Sequence, residues 1–311
     1  MKIIRDIKNL NFNIPIVASI GAFDGIHIGH QEIISNIVQQ AKIENSKSAL
    51  ITFYPLPKVF FTRENFEILP IYKKIDILSK FNLDYLVIIR FNDKFASMTS
   101  KDFIEDLVIK KLNIKSLTVG EDFKFGHNQT GNINELKDYA DKGFFSLNIE
   151  RKHTLNEERV SSSSIRKSII DNEILKSSKM LGRPYSISGK IIHGDKRGSE
   201  IGFPTANIKL KPNILLSGVY AVFTYIDGKK YYAIANIGYK PTFNGNTYLF
   251  EAHIFNLSNN LYGKRLEFNI VSKIRDTKKF SGIEELKKNI KKDINEAKKI
   301  LKIKWSTTKT H

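Results

Sequence analysis

Cysteine is absent from the 311-residue chain. Its absence excludes disulfides and thiolate metal sites and suits a reducing compartment. Acidic side chains are scarce, with 32 Asp and Glu against 50 Lys and Arg and a net charge of +18. Such an excess raises nucleic acid as a partner. Here the lysines are spread along the chain, and the densest run, Lys287 to Lys304, forms one face of the last expected helix. That helix lacks base-stacking aromatics interleaved with its lysines; only Trp305 follows it. No nucleic-acid partner is expected, whereas polyanionic small molecules gain from the same field. Long apolar runs are missing too, so no membrane span is expected. Met1–Asp6 lacks the apolar core of a signal peptide, and a cytoplasmic location is the expectation.

What is present divides in two. Length and a hydrophobic content of 41% suffice for a core in each of two domains. The first half alternates apolar strand segments with segments of helical spacing. The strands are Ile14–Ile20, Ser48–Phe53, Tyr85–Arg90, Ser116–Val119 and Phe144–Ile149. Pro70 opens one helix, Thr99 another, and Gly143 stops a third. Five β–α repeats predict an α/β domain with a Rossmann-like parallel sheet, its ligands beyond the carboxyl ends of the strands. A helix from Glu173 ends at Gly182, which places the domain boundary between residues 1–183 and 184–311. Beyond it Tyr185–His193, Val219–Ile226, Lys229–Ile237, Thr247–Asn256 and Arg265–Arg275 read as antiparallel strands, with Asp227-Gly228 as a hairpin turn. They predict a small antiparallel β-barrel. A final helix opens with a capping box at Ser281 and Glu284. The end, Ser306–His311, is expected to fray.

The densest stretch of chemistry is Gly21-Ala22-Phe23-Asp24-Gly25-Ile26-His27-Ile28-Gly29-His30, between an apolar strand and an amphipathic helix. Glycine lets amides approach a ligand closely. A helix N-terminus offers unpaired N–H groups and partial positive charge. Gly21, Gly25 and Gly29, with His27 and His30 three residues apart, therefore predict a phosphate site. Val160-Ser161-Ser162-Ser163-Ser164-Ile165-Arg166 runs from a loop into a helix. The hydroxyls of Ser162 and Ser163 and the planar fork of Arg166 suit phosphate, and the same serines suit plain N-capping. Val119 to Gly126 ends a strand with Asp122, Phe123 and Phe125; such aromatics serve a ligand or the core.

In the second half, Gly194, Gly198 and Gly202 bracket a basic loop containing Lys196, a form that can wrap phosphates. Thr205 and Asn207 are two apart and share a face on extended chain. Both offer the hard oxygen ligands that Mg²⁺ accepts. Glu251 alternates with Phe250 and Ala252, so it can face a cavity; an acid in a strand also suits a solvated face.

His-x-Gly-His at the first strand–helix turn resembles the mark of the HIGH-type nucleotidyltransferases. The longer Gly-x-Phe-Asp-Gly-x-His-x-Gly-His resembles the prokaryotic bifunctional riboflavin kinase/FMN adenylyltransferase (FAD synthetase) family. Val160–Arg166 resembles the superfamily's second motif, with Val160 for isoleucine and Ser163 for threonine. Val119–Gly126 resembles a segment that lies by flavin and nucleotide. Gly202-Phe203-Pro204-Thr205-Ala206-Asn207, Ala235–Phe243, Leu261–Lys264 and Ile274–Phe280 resemble successive riboflavin kinase blocks.

The resemblance implies phosphorylation of riboflavin by ATP to FMN in the C-terminal domain. It implies adenylylation of FMN by a second ATP to FAD and pyrophosphate in the N-terminal one, with Mg²⁺. His27, His30 and Arg166 would be catalytic in the adenylyltransferase, with Gly21, Phe23, Asp24, Gly25, Gly29, Ser162 and Ser163 about ATP. Asp122, Phe123 and Phe125 would flank the flavin. Glu251 would be catalytic in the kinase, with Gly194, Lys196, Gly198, Gly202, Thr205 and Asn207 about ATP. Thr205 and Asn207 would hold the metal, and Arg275 and Phe280 the flavin. Only small-molecule partners are implied, on a monomer or weak oligomer. One departure stands out: Thr52-Phe53-Tyr54-Pro55-Leu56-Pro57 carries Tyr54 and Leu56 where the family has an acid and a histidine. A kinase with a weakened adenylyltransferase is the alternative. An RNA-binding protein on the same fold is the rival of another class.

Overall fold

The computed structural model describes residues 1–7, 10–63, 67–151, 153–194, 197–210, 215–242, 245–257 and 259–306. They form two compact units, Met1–Ser164 and Ile165–His311.

In the first unit the apolar strand segments pair in parallel. The strands are β1 (Lys2–Ile4), β2 (Ile16–Ile20), β3 (Lys47–Tyr54), β4 (Tyr85–Arg90), β5 (Ile114–Gly120) and β6 (Ser146–Glu150), ordered β1-β4-β3-β2-β5-β6. Every residue of β2 is buried, as expected of a strand covered on both faces. Its residues Ile16, Ala18 and Ile20 join a core with Phe103, Leu107 and Leu136. On the other face lies α1 (Ile28–Ile43), which buries Ile34, Ile37, Val38 and Ala41. The remaining helices are α2 (Pro57–Thr62), α3 (Ile71–Leu78), α4 (Asp93–Ala96), α5 (Ser100–Asp102) and α6 (Ile133–Asp141). Helix α5 continues as a π-helix, Phe103–Lys111, and the Thr99 hydroxyl caps it by accepting from Asp102 N at 3.0 Å. A short ribbon, β7 (Thr154–Leu155) with β8 (Glu158–Arg159), precedes the unit's end. Strand β2 has β3 on one side and β5 on the other, so the sheet reverses its winding there. Ligands of open α/β sheets bind at that reversal, beyond the strand's carboxyl end. Strand β1 escaped the sequence pattern because three residues are too few to show a period.

The second unit holds most of α7 (Ser162–Ile170), then α8 (Ile174–Leu181), which stops at Gly182 in the left-handed region. Strands β9 (Ser186–Ile192), β10 (Ala206–Lys209), β11 (Gly218–Ile226), β12 (Lys229–Thr242), β13 (Gly245–Ile254) and β14 (Arg265–Arg275) close an antiparallel barrel, ordered β10-β13-β12-β11-β14-β9. One turn of helix, α9 (Arg197–Glu200), precedes β10, and α10 (Ile283–Ser306) follows β14. Asp227 and Gly228 take φ of +49° and +78°, the type I′ hairpin geometry. Tyr220, Ala235, Phe250, Ala252 and Phe268 are wholly buried inside the barrel. The alternate residues therefore face outward, and Ala221 and Ile234 pack there against Ala297 and Leu301 of α10.

Two expectations are corrected. Five antiparallel strands are expected from the sequence, and the barrel has six: β10, which carries Asn207 of the extended stretch, is the one left out, and without it the barrel would not close. The cap of α10 uses Glu285, not Glu284. The helix begins at Ile283, which makes Glu285 its third residue. The Glu285 carboxylate accepts from Ser281 N and Ser281 Oγ, both at 2.9 Å. Residues 307–311 of the expected frayed end lie outside the described residues.

Candidate active sites

Strand β2 delivers the chain to Gly21 and α1 takes it up at Ile28. Between them Phe23, Gly25 and Ile26 have φ of +45°, +81° and +42°. A β-branched residue in that region is strained, and the turn is held by side chains from elsewhere. Ala22 O accepts from Lys74 Nζ at 2.8 Å and from Thr52 Oγ1 at 3.0 Å. Asp24 O accepts from Ser162 Oγ at 2.9 Å, and Ile26 O from Gln31 Nε2 at 2.9 Å. Three alternate carbonyls are thus pinned. In a trans peptide the N–H points opposite to the C=O, so the amides of Phe23, Gly25 and His27 face the other way. The Asp24 carboxylate, 1% exposed, accepts from Ile68 N at 3.0 and 3.1 Å; its visible work is to hold the turn. Lys74 is 2% exposed. Burial lowers its pKa, and the charges of Asp24 and Glu67 oppose that.

His27 is the N-cap of α1, and its Nδ1 accepts from His30 N at 3.3 Å. The two imidazoles stack at 3.6 Å, and the edge of Phe23 meets His30 at 5.0 Å. Phe23 is buried. Gly29 is required by a neighbour: a Cβ there would come 2.8 Å from the ring of His153. That ring's Nε2 lies 2.8 Å from Glu32.

At the start of α7 the plain-capping alternative for the serines is realised by Ser161 and Ser164. Ser161 N donates to Ser164 Oγ at 2.9 Å, and Ser164 N to Ser161 Oγ at 3.1 Å. Ser162 is committed to Asp24 O, and Ser163 is exposed. Arg166 follows Ser162 by four residues, on the same face of the helix. Asp122 pairs with Arg159 at 2.5 Å on the surface. Phe123 stacks on Phe125 at 5.6 Å. Phe125 is itself a core residue, 5% exposed and 4.8 Å from Phe103, because the chain turns back to bridge it to Gly131. Tyr54 is exposed, whereas Leu56 is 4% exposed at the N-cap of α2. The loop is built around a buried leucine.

In the barrel, one row of side chains runs in register across five strands. Asn207 pairs with Glu251, Glu251 with Asn236, Asn236 with Val219 and Val219 with Arg275. All five line one cavity of about 880 Å³ on the outer face, a ligand-sized space. Leu286, Ile290 and Asp293 of α10 form part of its wall, as do Gly198, Phe203 and Phe280. Glu251 thus faces the cavity and is half-buried. Asn207 Nδ2 donates to Thr205 O at 3.2 Å, and Asn207 Oδ1 is buried with no hydrogen-bond partner among the described residues. Thr205 Oγ1 lies 3.5 Å from the same amide nitrogen. An orphaned amide oxygen beside a hydroxyl fits the donor set of a hard cation. Gly194 is needed for this placement, since a Cβ there would sit 2.4 Å from Asn207 Nδ2. Gly202 has φ of +87° at the loop's end. Lys196 lies outside the described residues. Arg275 grips Asp293 with two parallel bonds, Nε to Oδ1 at 2.9 Å and Nη2 to Oδ2 at 2.8 Å. Its guanidinium is 5.6 Å from the Phe280 ring centre.

The motifs pointed to neither Lys74 nor Asp293. Both left a signal: each is a charge on an apolar helical stripe. Lys74 stands between Ile71 and Leu78, and Asp293 between Ile290 and Ala297. Among the described residues no group of three or more His, Asp or Glu is arranged to hold a metal.

The FAD synthetase family model matches residues 10–164, and the riboflavin kinase family model matches residues 181–301. A bifunctional riboflavin kinase/FMN adenylyltransferase of Buchnera aphidicola subsp. Schizaphis graminum is 41% identical over 308 residues, covering 96% of this chain and 98% of that protein. Its namesake from Escherichia coli K12 is 33% identical over 300 residues, covering 94% and 96%. A crystal structure described as a macrolide-efflux protein from Streptococcus pneumoniae superposes with a TM-score of 0.81 at 30% identity, covering 95% of this chain and 98% of that one. Two domain matches in series and full-length relatives agree with the two sites described above: the chain belongs to the bifunctional riboflavin kinase/FMN adenylyltransferase family.

Proposed function

We propose that residues 184–311 phosphorylate riboflavin to FMN and that residues 1–183 adenylylate FMN to FAD, each with ATP. The observation that carries this reading is Glu251 in register with Asn207 on the wall of one cavity. A neutral ribityl hydroxyl is a poor nucleophile. Glu251 takes its proton as the oxygen bonds to the γ-phosphorus of ATP and ADP leaves. Thr205 and Asn207 would hold Mg²⁺, which when bound neutralises phosphate charge. Gly194, Lys196, Gly198 and Gly202 wrap the phosphates, and Arg275 and Phe280 flank the flavin.

In the other reaction a phosphate oxygen of FMN bonds to the α-phosphorus of ATP and pyrophosphate leaves. The nucleophile is already an anion, so the site needs no strong base. It must hold two anions and spread the developing charge. His27, His30 and Arg166 take that role, with Ser162, Ser163 and the backbone of Gly21, Phe23, Gly25 and Gly29 about ATP. Asp24 acts by holding the turn. Asp122 and Phe123 flank the flavin, and Phe125 backs Phe123 from the core. We read the protein as a cytoplasmic monomer or weak oligomer whose partners are these small molecules.

The test is incubation of the full chain with riboflavin, ATP and Mg²⁺, followed by chromatography of the flavins. FMN and FAD together are expected. FMN alone would support the kinase-only alternative raised by Tyr54 and Leu56, and neither product would overturn the reading.

A further inference from the structure

The row of side chains across the barrel has an order. Asn207 of β10, Glu251 of β13, Asn236 of β12, Val219 of β11 and Arg275 of β14 follow one another, each in register with the next. On the kinase reading, Thr205 and the orphaned Asn207 Oδ1 mark the phosphate end, beside β10. Arg275, with the Phe280 ring centre 5.6 Å from its guanidinium, marks the flavin end, beside β14. Between Glu251 and Arg275 the row holds two residues, Asn236 and Val219. Val219 is apolar and 5% exposed, whereas Asn236 is exposed on the cavity wall. Residues paired directly across two strands point to the same face, their Cβ atoms about 5 Å apart. The amide of Asn236 therefore stands one strand from the carboxylate of Glu251, on the side of the flavin.

We propose that Asn236 sets specificity for the polyol chain of the flavin, binding its secondary hydroxyls while the terminal hydroxyl lies at Glu251. This inference rests on the kinase reading above. A substrate with its ring at Arg275 and its reacting hydroxyl at Glu251 must run the connecting chain past Asn236. In riboflavin that chain bears a hydroxyl on every carbon except the one joined to the ring. Each hydroxyl donates and accepts, and a carboxamide does both. A carboxylate in this place would only accept, and its charge would stand beside that of Glu251. An ammonium would only donate, and it would pair with Glu251 and weaken it as a base. The neutral amide reads hydroxyls and leaves the charge of Glu251 to the proton it takes. Because Asn236 is exposed, water makes up part of a lost bond. A missing hydroxyl should then cost about tenfold rather than the several powers of ten of a sealed polar site.

Phosphorylation of two flavins by the full chain, with ATP and Mg²⁺, tests it. One is riboflavin. The other carries a 5-hydroxypentyl chain in place of ribityl, which keeps the ring and the terminal hydroxyl and has no secondary ones. Wild type should favour riboflavin by about tenfold or more in kcat/KM. Asn236→Leu, of similar volume, should narrow that preference to within about threefold, slowing riboflavin and leaving the analogue near its wild-type value. Asn236→Ser, which keeps a group that donates and accepts, should fall between the two. A residue that merely supported Glu251 would slow both flavins alike, because both need the same proton acceptor. Equal loss with the two flavins, in either variant, therefore overturns the proposal. So does a wild type that treats the two flavins alike. A wild type that phosphorylates neither overturns the kinase reading, and this inference with it, and is seen before any variant is made.

Discussion

In the first unit the candidate site is backbone held in place by side chains; in the second it is side chains held in place by backbone. The turn at residues 21–30 keeps its shape because Lys74, Thr52, Ser162 and Gln31 pin its carbonyls from four separate places. The barrel site needs no such pins. Strand register alone sets Asn207, Glu251 and Asn236 side by side. The difference matches the two proposed reactions. Gathering anions calls for fixed N–H groups and positive charge, whereas activating a hydroxyl calls for one carboxylate at one point.

The sharpest way to break the comparison is Glu251→Gln, which keeps size but cannot take a proton. Riboflavin phosphorylation should fall by roughly 10²–10⁴-fold, while FMN supplied directly is still converted to FAD. Loss of both activities together would show that the two units do not act separately. His27→Ala and Arg166→Ala probe the other side. Each should lower FAD formation by roughly 10²-fold, the size typical of one charge-stabilising donor, with FMN formation intact.

Lys74→Met tests whether pinned carbonyls matter. The methionine keeps the buried stem and drops the bond to Ala22 O. FAD formation should fall by about 10-fold in kcat, since small misplacements of positioning groups carry such costs, and FMN formation should not move. A wild-type kcat would mean that the turn holds without this bond. Leu56→His tests the rebuilt loop. A histidine there replaces a residue only 4% exposed, and burying its polar ring should cost about 1–3 kcal/mol in chemical denaturation. FAD formation should not rise. A faster, equally stable variant would show that the family histidine still fits.

The smallest effect is a pH dependence in the second unit. The pKa of Lys230 is lowered from 10.5 to about 8 in the folded chain. Between those values the unfolded chain holds more of the proton, so stability gains as pH rises. The stability of wild type relative to Lys230→Met should therefore climb between pH 8 and 10.5 and be flat below that window. Urea unfolding of both proteins at stepped pH measures it.

Much of this was legible in the chain itself. The glycine–histidine turn, the strand parity of Glu251 and the Asp227-Gly228 hairpin are local patterns, written within a few residues. Local geometry follows from neighbouring residues because period, turn and cap are short-range. What the sequence hid was partnership at a distance. Strand β1 finds β4 some eighty residues on. Strand β10 is defined by the neighbours that pair with it, β13 and β9. The bond from Lys74 to Ala22 O spans 52 residues, and Arg275 meets Asp293 only because α10 folds back on the barrel. The aromatics absent from the lysine-rich last helix are supplied by β12, which the tertiary fold brings to it. Composition and periodicity determined the two folds and the residue types at each site. Only the packed chain decided which buried charges hold which carbonyl or guanidinium, because a buried charge is tolerable only where a specific partner meets it, and that partner is chosen by the fold.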